Sequence, residues 1–421
     1  MDGEKQDGIK RAIKNGFLHI FSANFINKVV QFGILFVIVR IIDKKTYGSF
    51  SYAQNILNMF LLLQGIGAVP AILQYCSSAK DEKEQLSYFK YGIKIGLMAN
   101  FVISIAVLVF TMFFDLPVKG STEILMAFFI FPIFSIVYDE IQIFLRATIK
   151  NKEFSILTTT NSILYLLGTV SLGILFKVKG IVIARYLAYL FTIIMGIYMI
   201  KKYLFKLKDI EYPKASKRKE FLKFSITSSA TNAISQILML IDTFLVGLII
   251  KDEMVVAAYK TATLIPINLT FIPASIVIFV YPYFAKNQDN KKWIREKYNK
   301  MQKYLFIFNS IISLILIVFA PLIIKIVFGS EYLDAVTPFR ILSFGYLIAG
   351  TFRIPGGNIL FSIKKVKVNF YNAIVSGIAN IILDIVLILK YGSNGAAIAT
   401  VLIFALSSLI SNAYLYKYLK E

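Results

Sequence analysis

A chain of 421 residues that is 57% hydrophobic, with a mean hydropathy of +0.69, is more apolar than a soluble domain, which carries roughly 45–50% apolar residues. Its net charge of +22 would suit a nucleic-acid partner, but the basic residues lie between apolar blocks rather than on one soluble face, which excludes that class. One cysteine, Cys76, excludes an intrachain disulfide.

The apolar blocks run to about 20 residues, enough to cross a hydrocarbon core of about 30 Å as helices. They do not alternate in pieces of about 10 residues as membrane strands would. Helices, which satisfy their own backbone in lipid, are expected near 17–39, 50–72, 92–114, 124–146, 155–176, 181–201, 221–249, 254–281, 304–328, 336–362, 368–389 and 394–416. The N-terminal KRAIKNG looks like a signal-peptide n-region, yet the run after it is long, polar in places and without a small-residue cleavage site, so it reads as a retained first span.

In chain order, the first span carries Asn24, Asn27, Lys28 and Gln31 on one face by helical spacing, with Lys28 near the midplane and His19, the single histidine, near the inner end. A bare charge at that depth costs about 2.5–3.5 kcal/mol, so the stripe reads as a wet cavity wall, with an interhelical hydrogen-bond seam as the bland alternative. Asp139 and Glu140 follow in the fourth span. The fifth and sixth are divided at FKVKGIV, and a basic segment at 201–220 joins two halves, 1–200 and 221–421. Asp242 and Lys260 flank the turn at Lys251 at equal depth, so either an ion pair or a substrate contact would suit them. Pro266 and Pro273 share a face of the eighth span and should bend it. KKWIREKYNKMQKYL, with the single tryptophan, Trp293, reads as a short amphipathic surface helix.

Arg353 falls mid-span in FRIPGGNILF, where Pro355 and two glycines should interrupt the helix. An interrupted helix with a midplane charge is a pointer to a transport site, and Arg can clamp phosphate bidentately; a kink whose Arg pairs with an acid is the alternative. Asn372, Ser376, Asn380 and Asp384 form an i+4 stripe on the eleventh span. Any proton or sodium coupling falls to Asp242, Asp384, Asp139 or Glu140, the acids at depth. Arg40, Arg185 and Arg340 should snorkel to the outer edge. No cofactor or metal is expected: the sequence has no Gly-x-x-x-x-Gly-Lys-Ser/Thr loop, no Cys/His cluster and no Gly-x-Ser-x-Gly elbow, so it is not read as an enzyme.

With the N-terminus taken as inside, the inner segments hold 31 Lys and Arg and the outer loops 8, the positive-inside asymmetry that puts both termini in the cytoplasm. A shift of 209 residues sets Asp43 on Asp252, Gly48 on Ala257 and Ala53 on Ala262. KVKGIVIARYL parallels GSNGAAIATVL, with Gly180 on Gly395, and TIKNKEF lies beside SIKKVKV. Three matches in one order argue for duplication: two six-helix lobes related by a pseudo-two-fold axis along the membrane normal, around a central cavity.

The run YGSFSYA after the first turn, FGSEYLDAVTPFRILSFGYL at 328–347 and NGAAIATVLIFALSSLISNAYLYKY at 394–418 resemble the polysaccharide-transporter branch of the multidrug/oligosaccharidyl-lipid/polysaccharide exporter superfamily, which includes the Wzx-type repeat-unit flippases. Ala257 stands where such proteins often have Gly. The resemblance covers nearly the whole chain. It implies a multi-pass flippase of the bacterial cytoplasmic membrane, with a V-shaped pair of lobes whose cavity opens alternately. The implied substrate is a sugar repeat unit on undecaprenyl diphosphate. Membrane lipids, and the polymerase and glycosyltransferases of the same pathway, would be its partners. On that reading Lys28 and Arg353, supported by Lys260, Asn24 and Gln31, bind the diphosphate and glycan.

Three rivals fit less well. A multidrug-and-toxin-type cation-coupled exporter typically places acids in its N-terminal lobe, and the first span here has none. A major-facilitator transporter usually carries a Gly-x-x-x-Asp-Arg-x-Gly-Arg-like signature, absent from CSSAKDEKEQLSYFKY. A membrane glycosyltransferase generally has a large outer loop, and every outer loop here is short.

Overall fold

The computed structural model describes residues 17–420, apart from the side chains of residues 17–25, 234, 235, 238 and 239. The side chains of His19 and Asn24 therefore lie outside the described residues. Helices and turns make up the rest, with no strand among the described residues. The helices are α1 (Phe17–Ile41), α2 (Lys44–Leu61), α3 (Ala68–Ser77), α4 (Glu82–Phe113), α5 (Ser121–Ala127), α6 (Phe131–Ala147), α7 (Asn151–Lys206) and α8 (Ala215–Ile250). They continue as α9 (Glu253–Leu269), α10 (Phe271–Lys286), α11 (Lys291–Val318), α12 (Ala320–Val327), α13 (Val336–Ile348), α14 (Ile354–Ser362), α15 (Val366–Tyr391) and α16 (Ser393–Tyr418). Among the described residues eight helical stretches are long and apolar enough to cross a membrane, or nine if α5 and α6, bent by 48° at their junction, count as one.

Contacts divide the chain into two compact units. One comprises residues 1–46, 53–116 and 120–237; the other comprises 47–52, 117–119 and 238–421. The boundary falls inside α8, past the basic segment.

The sequence repeats correspond to recurrent local devices. Asp43 and Asp252 each cap the helix that follows. Asp43 accepts from the Thr46 N–H at 3.0 Å and the Thr46 hydroxyl at 2.6 Å, and Asp252 accepts from the Met254 and Val255 N–H groups. Partial burial works against the charged form of Asp43, but these hydrogen bonds together outweigh it and hold its carboxyl below the ordinary aspartate range. The second device is a hairpin turn. Lys177 (φ 52°, ψ −132°) and Gly392 (φ 59°, ψ −140°) share one backbone conformation, 215 residues apart. Three residues later Gly180 and Gly395 lie so close to the Leu172 and Leu387 carbonyls that a Cβ on either would sit 1.9 Å from the oxygen. The third device is a left-handed helix end at Ile149 and Lys364, where the Lys150 and Lys365 N–H groups both donate at 2.8 Å to carbonyls five residues back. The expected pairing of TIKNKEF with SIKKVKV is therefore one residue out of register.

The 56-residue α7 is a hairpin reversed at Lys177, as expected at FKVKGIV: the Asn161 amide donates to Thr192 Oγ1 across its legs at 3.0 Å, and Lys177 Nζ donates to the Ile41 carbonyl. The amphipathic piece around Trp293 is not a separate surface helix. It is the first part of α11, and Trp293 packs edge-on against Phe284 with ring centroids 5.4 Å apart. The proline-bearing span divides at Thr270 into α9 and α10. A break at 65–67 was not expected. Gly65, Ile66 and Gly67 all have positive φ, and they divide α2 from α3 inside one apolar run.

Candidate functional site

The polar stripe of α15 is buried along its length, and its first residue, Asn372, is satisfied by α16. Asn372 donates to the Ser407 carbonyl at 2.9 Å and to Ser411 Oγ at 2.8 Å, and the Ser376 hydroxyl donates back to Asn372. At the far end of the stripe, Asn380 Nδ2 donates to Asp384 Oδ2 at 2.6 Å and to Asp242 Oδ1 on α8 at 3.1 Å. Asp242 Oδ2 accepts from Thr400 Oγ1 at 2.6 Å and from the Tyr259 hydroxyl at 3.3 Å. One amide thus holds two carboxylates that lie more than 130 residues apart in sequence.

Asp384 is fully buried, and its Oδ1 has no hydrogen-bond donor among the described residues. An orphaned buried carboxylate oxygen is costly and calls for a proton or a cation. Around the two acids the Asn380 NH2 and the Thr400 and Tyr259 hydroxyls all donate, so the oxygens open to a further ligand are those of the carboxylates. Such ligands fit a hard monovalent cation or a proton.

Lys260 does not pair with Asp242. No carboxylate lies within 4 Å of its ammonium among the described residues, although both side chains line one cavity of about 200 Å³ with Tyr259, Thr263 and Asn268. Asp242 is instead taken by Asn380, Thr400 and Tyr259. Arg353 closes a π-helical turn, Ala349–Arg353, between α13 and α14. Pro355, lacking an N–H, cannot bond the Thr351 carbonyl one turn back, which is where a π-turn would be expected to relieve the helix. The guanidinium carbon lies 4.9 Å from the Phe404 ring centroid, and no carboxylate pairs with it among the described residues. The alternative of a kink with an Arg–acid pair therefore does not hold.

In the first unit, Lys28 and Gln31 are exposed on α1 and Asn27 is half-buried, its amide oxygen without a partner among the described residues. Asp139 and Glu140 sit on α6 beside the breaks in neighbouring helices. Gln64 donates to Asp139 Oδ2 at 2.7 Å and accepts from Ser135. Asn100 bridges the breaks by accepting from the Gly65 N–H and donating to the Pro132 carbonyl, both at 2.6 Å. Glu140 is 2% exposed and points at Gly96, where only a glycine leaves it room. Asp139 and Glu140 belong to the first unit and Asp242 and Asp384 to the second. Arg185 lies over Phe131 at 4.1 Å and Arg340 donates to the Ile317 carbonyl at 3.0 Å.

Sequence reasoning missed Asn380, Thr400 and Tyr259 as partners of Asp242. The i+4 stripe on α15 was the signal for Asn380, but Thr400 carried none.

Comparison with known proteins places this geometry. Residues 13–288, about two thirds of the chain, match the family described as polysaccharide biosynthesis protein. The chain belongs to that family. It is 26% identical over 218 residues to a probable low-salt glycan biosynthesis flippase of Haloferax volcanii, covering 50% of this chain and 44% of that protein. It is 30% identical over 149 residues to an uncharacterized membrane protein of Methanocaldococcus jannaschii, covering 35% and 29%. The chain thus spans less than half the length of these curated relatives. Its fold is similar to an inward-facing multidrug resistance transporter of the MATE family in the MOP superfamily, with TM-score 0.75, 12% identity and 94% of each chain covered. It is also similar to the lipid II flippase MurJ in an inward closed conformation, with TM-score 0.70, 18% identity, and 94% of this chain and 87% of that one covered. This member of the polysaccharide biosynthesis family thus has a fold like that of solved MATE and MurJ proteins, and eight or nine of its described helical stretches are long and apolar enough to cross a membrane.

Proposed function

We propose that this chain flips an undecaprenyl-diphosphate-linked oligosaccharide repeat unit across the bacterial cytoplasmic membrane, by alternating access, for O-antigen, capsule or similar surface polymer. Its fold would be twelve spans in two pseudo-symmetric lobes around a central cavity, with both termini cytoplasmic. The observation that carries the reading is Arg353: an intramembrane guanidinium on a π-turn, resting on an aromatic ring, with no carboxylate to neutralise it among the described residues. A charge kept at that depth without a partner suits an anionic ligand, and a diphosphate is the anionic part of such a substrate. Lys28 and Lys260 supply further cations, and Asn24 and Gln31 the amides for glycan. Deleting the gene should make lipid-linked repeat units accumulate on the cytoplasmic leaflet, read as head groups inaccessible from outside in intact spheroplasts. An unchanged distribution between leaflets would overturn the reading.

The Asp242–Asp384 pair is the place for proton or sodium coupling. When purified protein is reconstituted in vesicles, flipping of a lipid-linked oligosaccharide should accelerate under an inward sodium or proton gradient. Asp384→Asn should remove that response. Gradient dependence that survives the substitution would separate these acids from coupling.

A further inference from the structure

A basic pocket lies away from every residue used above. It is formed where α4 passes the end of the second leg of α7, encloses about 380 Å³, and is lined by Lys90, Lys94, Lys208 and Tyr212 over a floor that includes Ile93 and Leu207. Lys90 is held in place: Nζ donates to the Leu207 carbonyl at 2.8 Å and the Ile210 carbonyl at 2.7 Å, leaving one proton of its three for a ligand. Lys90 and Lys94 approach the Tyr212 ring at 5.4 and 5.3 Å.

The charge is uncompensated. Lys206 pairs with Glu82 at 2.7 Å and Lys217 pairs with Glu84, so the acids at the start of α4 are engaged. Asp209 and Glu211 lie on the adjoining turn but do not line the pocket. No carboxylate lies within 4 Å of Lys90, Lys94 or Lys208 among the described residues.

The second observation is what lies next to it. From Lys94 along α4, the residues on the same helical face are Met98, Phe101, Val102, Ile105 and Val109, all strongly exposed. In a membrane protein that stripe faces lipid. A trio of cations therefore tops an apolar track running into the bilayer, which is the shape of a phosphate headgroup above its tail. Free phosphate would leave the track without a purpose. A pocket of this volume holds a phosphoglycerol group but not a repeat unit of several sugars.

We propose that this pocket is a binding site for an anionic glycerophospholipid, its phosphate among Lys90, Lys94 and Lys208 and an acyl chain along Met98–Val109. The site lies on the lysine-rich side of the protein, where anionic lipid also accounts for the excess of basic loops. The inference rests on the membrane reading of the chain and not on flipping.

The test is lipid association of the full-length protein in phosphatidylcholine bilayers, read with spin-labelled phosphatidylglycerol against spin-labelled phosphatidylcholine. The protein should prefer phosphatidylglycerol. Removing each lysine should lower the preference about fivefold. A Lys90→Gln, Lys94→Gln, Lys208→Gln variant should show none, and the corresponding triple Arg variant should retain it. Lys208→Glu, on an exposed side chain that folding does not use, should weaken the preference without altering the elution of the protein. An unchanged preference in the Gln variant or in Lys208→Glu would overturn the proposal. So would displacement of the label by inorganic phosphate, or by an equimolar polyprenyl diphosphate far better than by phosphatidylglycerol. Because no transport is measured, failure here leaves the flippase reading standing, and failure of flipping leaves this site standing.

Discussion

A chain with both Lys28 and Arg353 replaced by alanine is expected to reach the membrane at the level of the unaltered protein and to export no surface polysaccharide. The two halves of that expectation have separate physical grounds. Arg353 makes no ion pair among the described residues, so its removal leaves no buried acid stranded and takes away only a cation–π contact with Phe404. Breaking a buried ion pair would cost about 3–5 kcal/mol; losing a cation–π contact costs about 0.5–2 kcal/mol, partly offset by ending the burial of a charge. Lys28 is exposed on α1, and its truncation strands nothing. Function should behave differently. Hydrogen bonds to a charged group contribute about 1.5–3 kcal/mol each, so losing one cation at each residue should reduce transport by about a hundredfold or more. Arg353→Lys should fall between, since it keeps the charge but not the planar fork. The measurement is surface polysaccharide by immunoblot beside the membrane abundance of each variant. Full export from the double variant would remove both residues from the substrate path.

Gly395→Val should have the largest effect on folding. A Cβ there would sit 1.9 Å from the Leu387 carbonyl oxygen and 2.3 Å from its carbon, both backbone atoms that cannot swing aside. Relief requires separating α15 from α16, and these helices carry the stripe from Asn372 to Asp384 and its partners Ser407 and Ser411. Overpacking ordinarily costs about 1–3 kcal/mol through side-chain movement. Here a backbone collision opens a seam of buried hydrogen bonds, so a loss beyond that range is expected. The variant should be degraded in cells, or elute from size exclusion as aggregate. Gly180→Val should do the same at the α7 hairpin, where Leu172 is the obstacle. Recovery of folded Gly395→Val with an unchanged melting temperature would refute the packing argument.

Much of the backbone course was legible, and the reasons differ by element. The Asp43–Asp252 match was found as an identity and is explained by capping. The Gly180–Gly395 match is explained by close approach of two helices. Repeats of this kind survive in sequence because a backbone constraint permits few residues. The weaker match slipped by one because lysine-rich turns align by composition, whereas the left-handed residue is set by the preceding helix. Equal spacing from the turn placed Asp242 and Lys260 on one cavity, but the direction each faces was not legible. Two residues at one level can face different neighbours, and Asp242 faces Asn380 and Thr400. The break at 65–67 hid inside an apolar run whose two glycines and nearby Pro70 were its only signal.

The hairpin turns also bear on how the chain enters a membrane while it is being made. Lys177 and Gly392 each reverse the chain with no intervening loop, so neither turn offers a tether on which a first leg could wait alone. The two legs of α7, and likewise α15 with α16, would have to leave the insertion machinery as pairs. For α15 this pairing has a purpose. A single helix bearing Asn372, Ser376, Asn380 and Asp384 would expose its polar edge to hydrocarbon, whereas α16 arrives directly behind it with Ser407 and Ser411 as partners for Asn372. Contacts between such near neighbours in sequence carry little loop-closure cost, so the polar seam can close without waiting for contacts with distant spans.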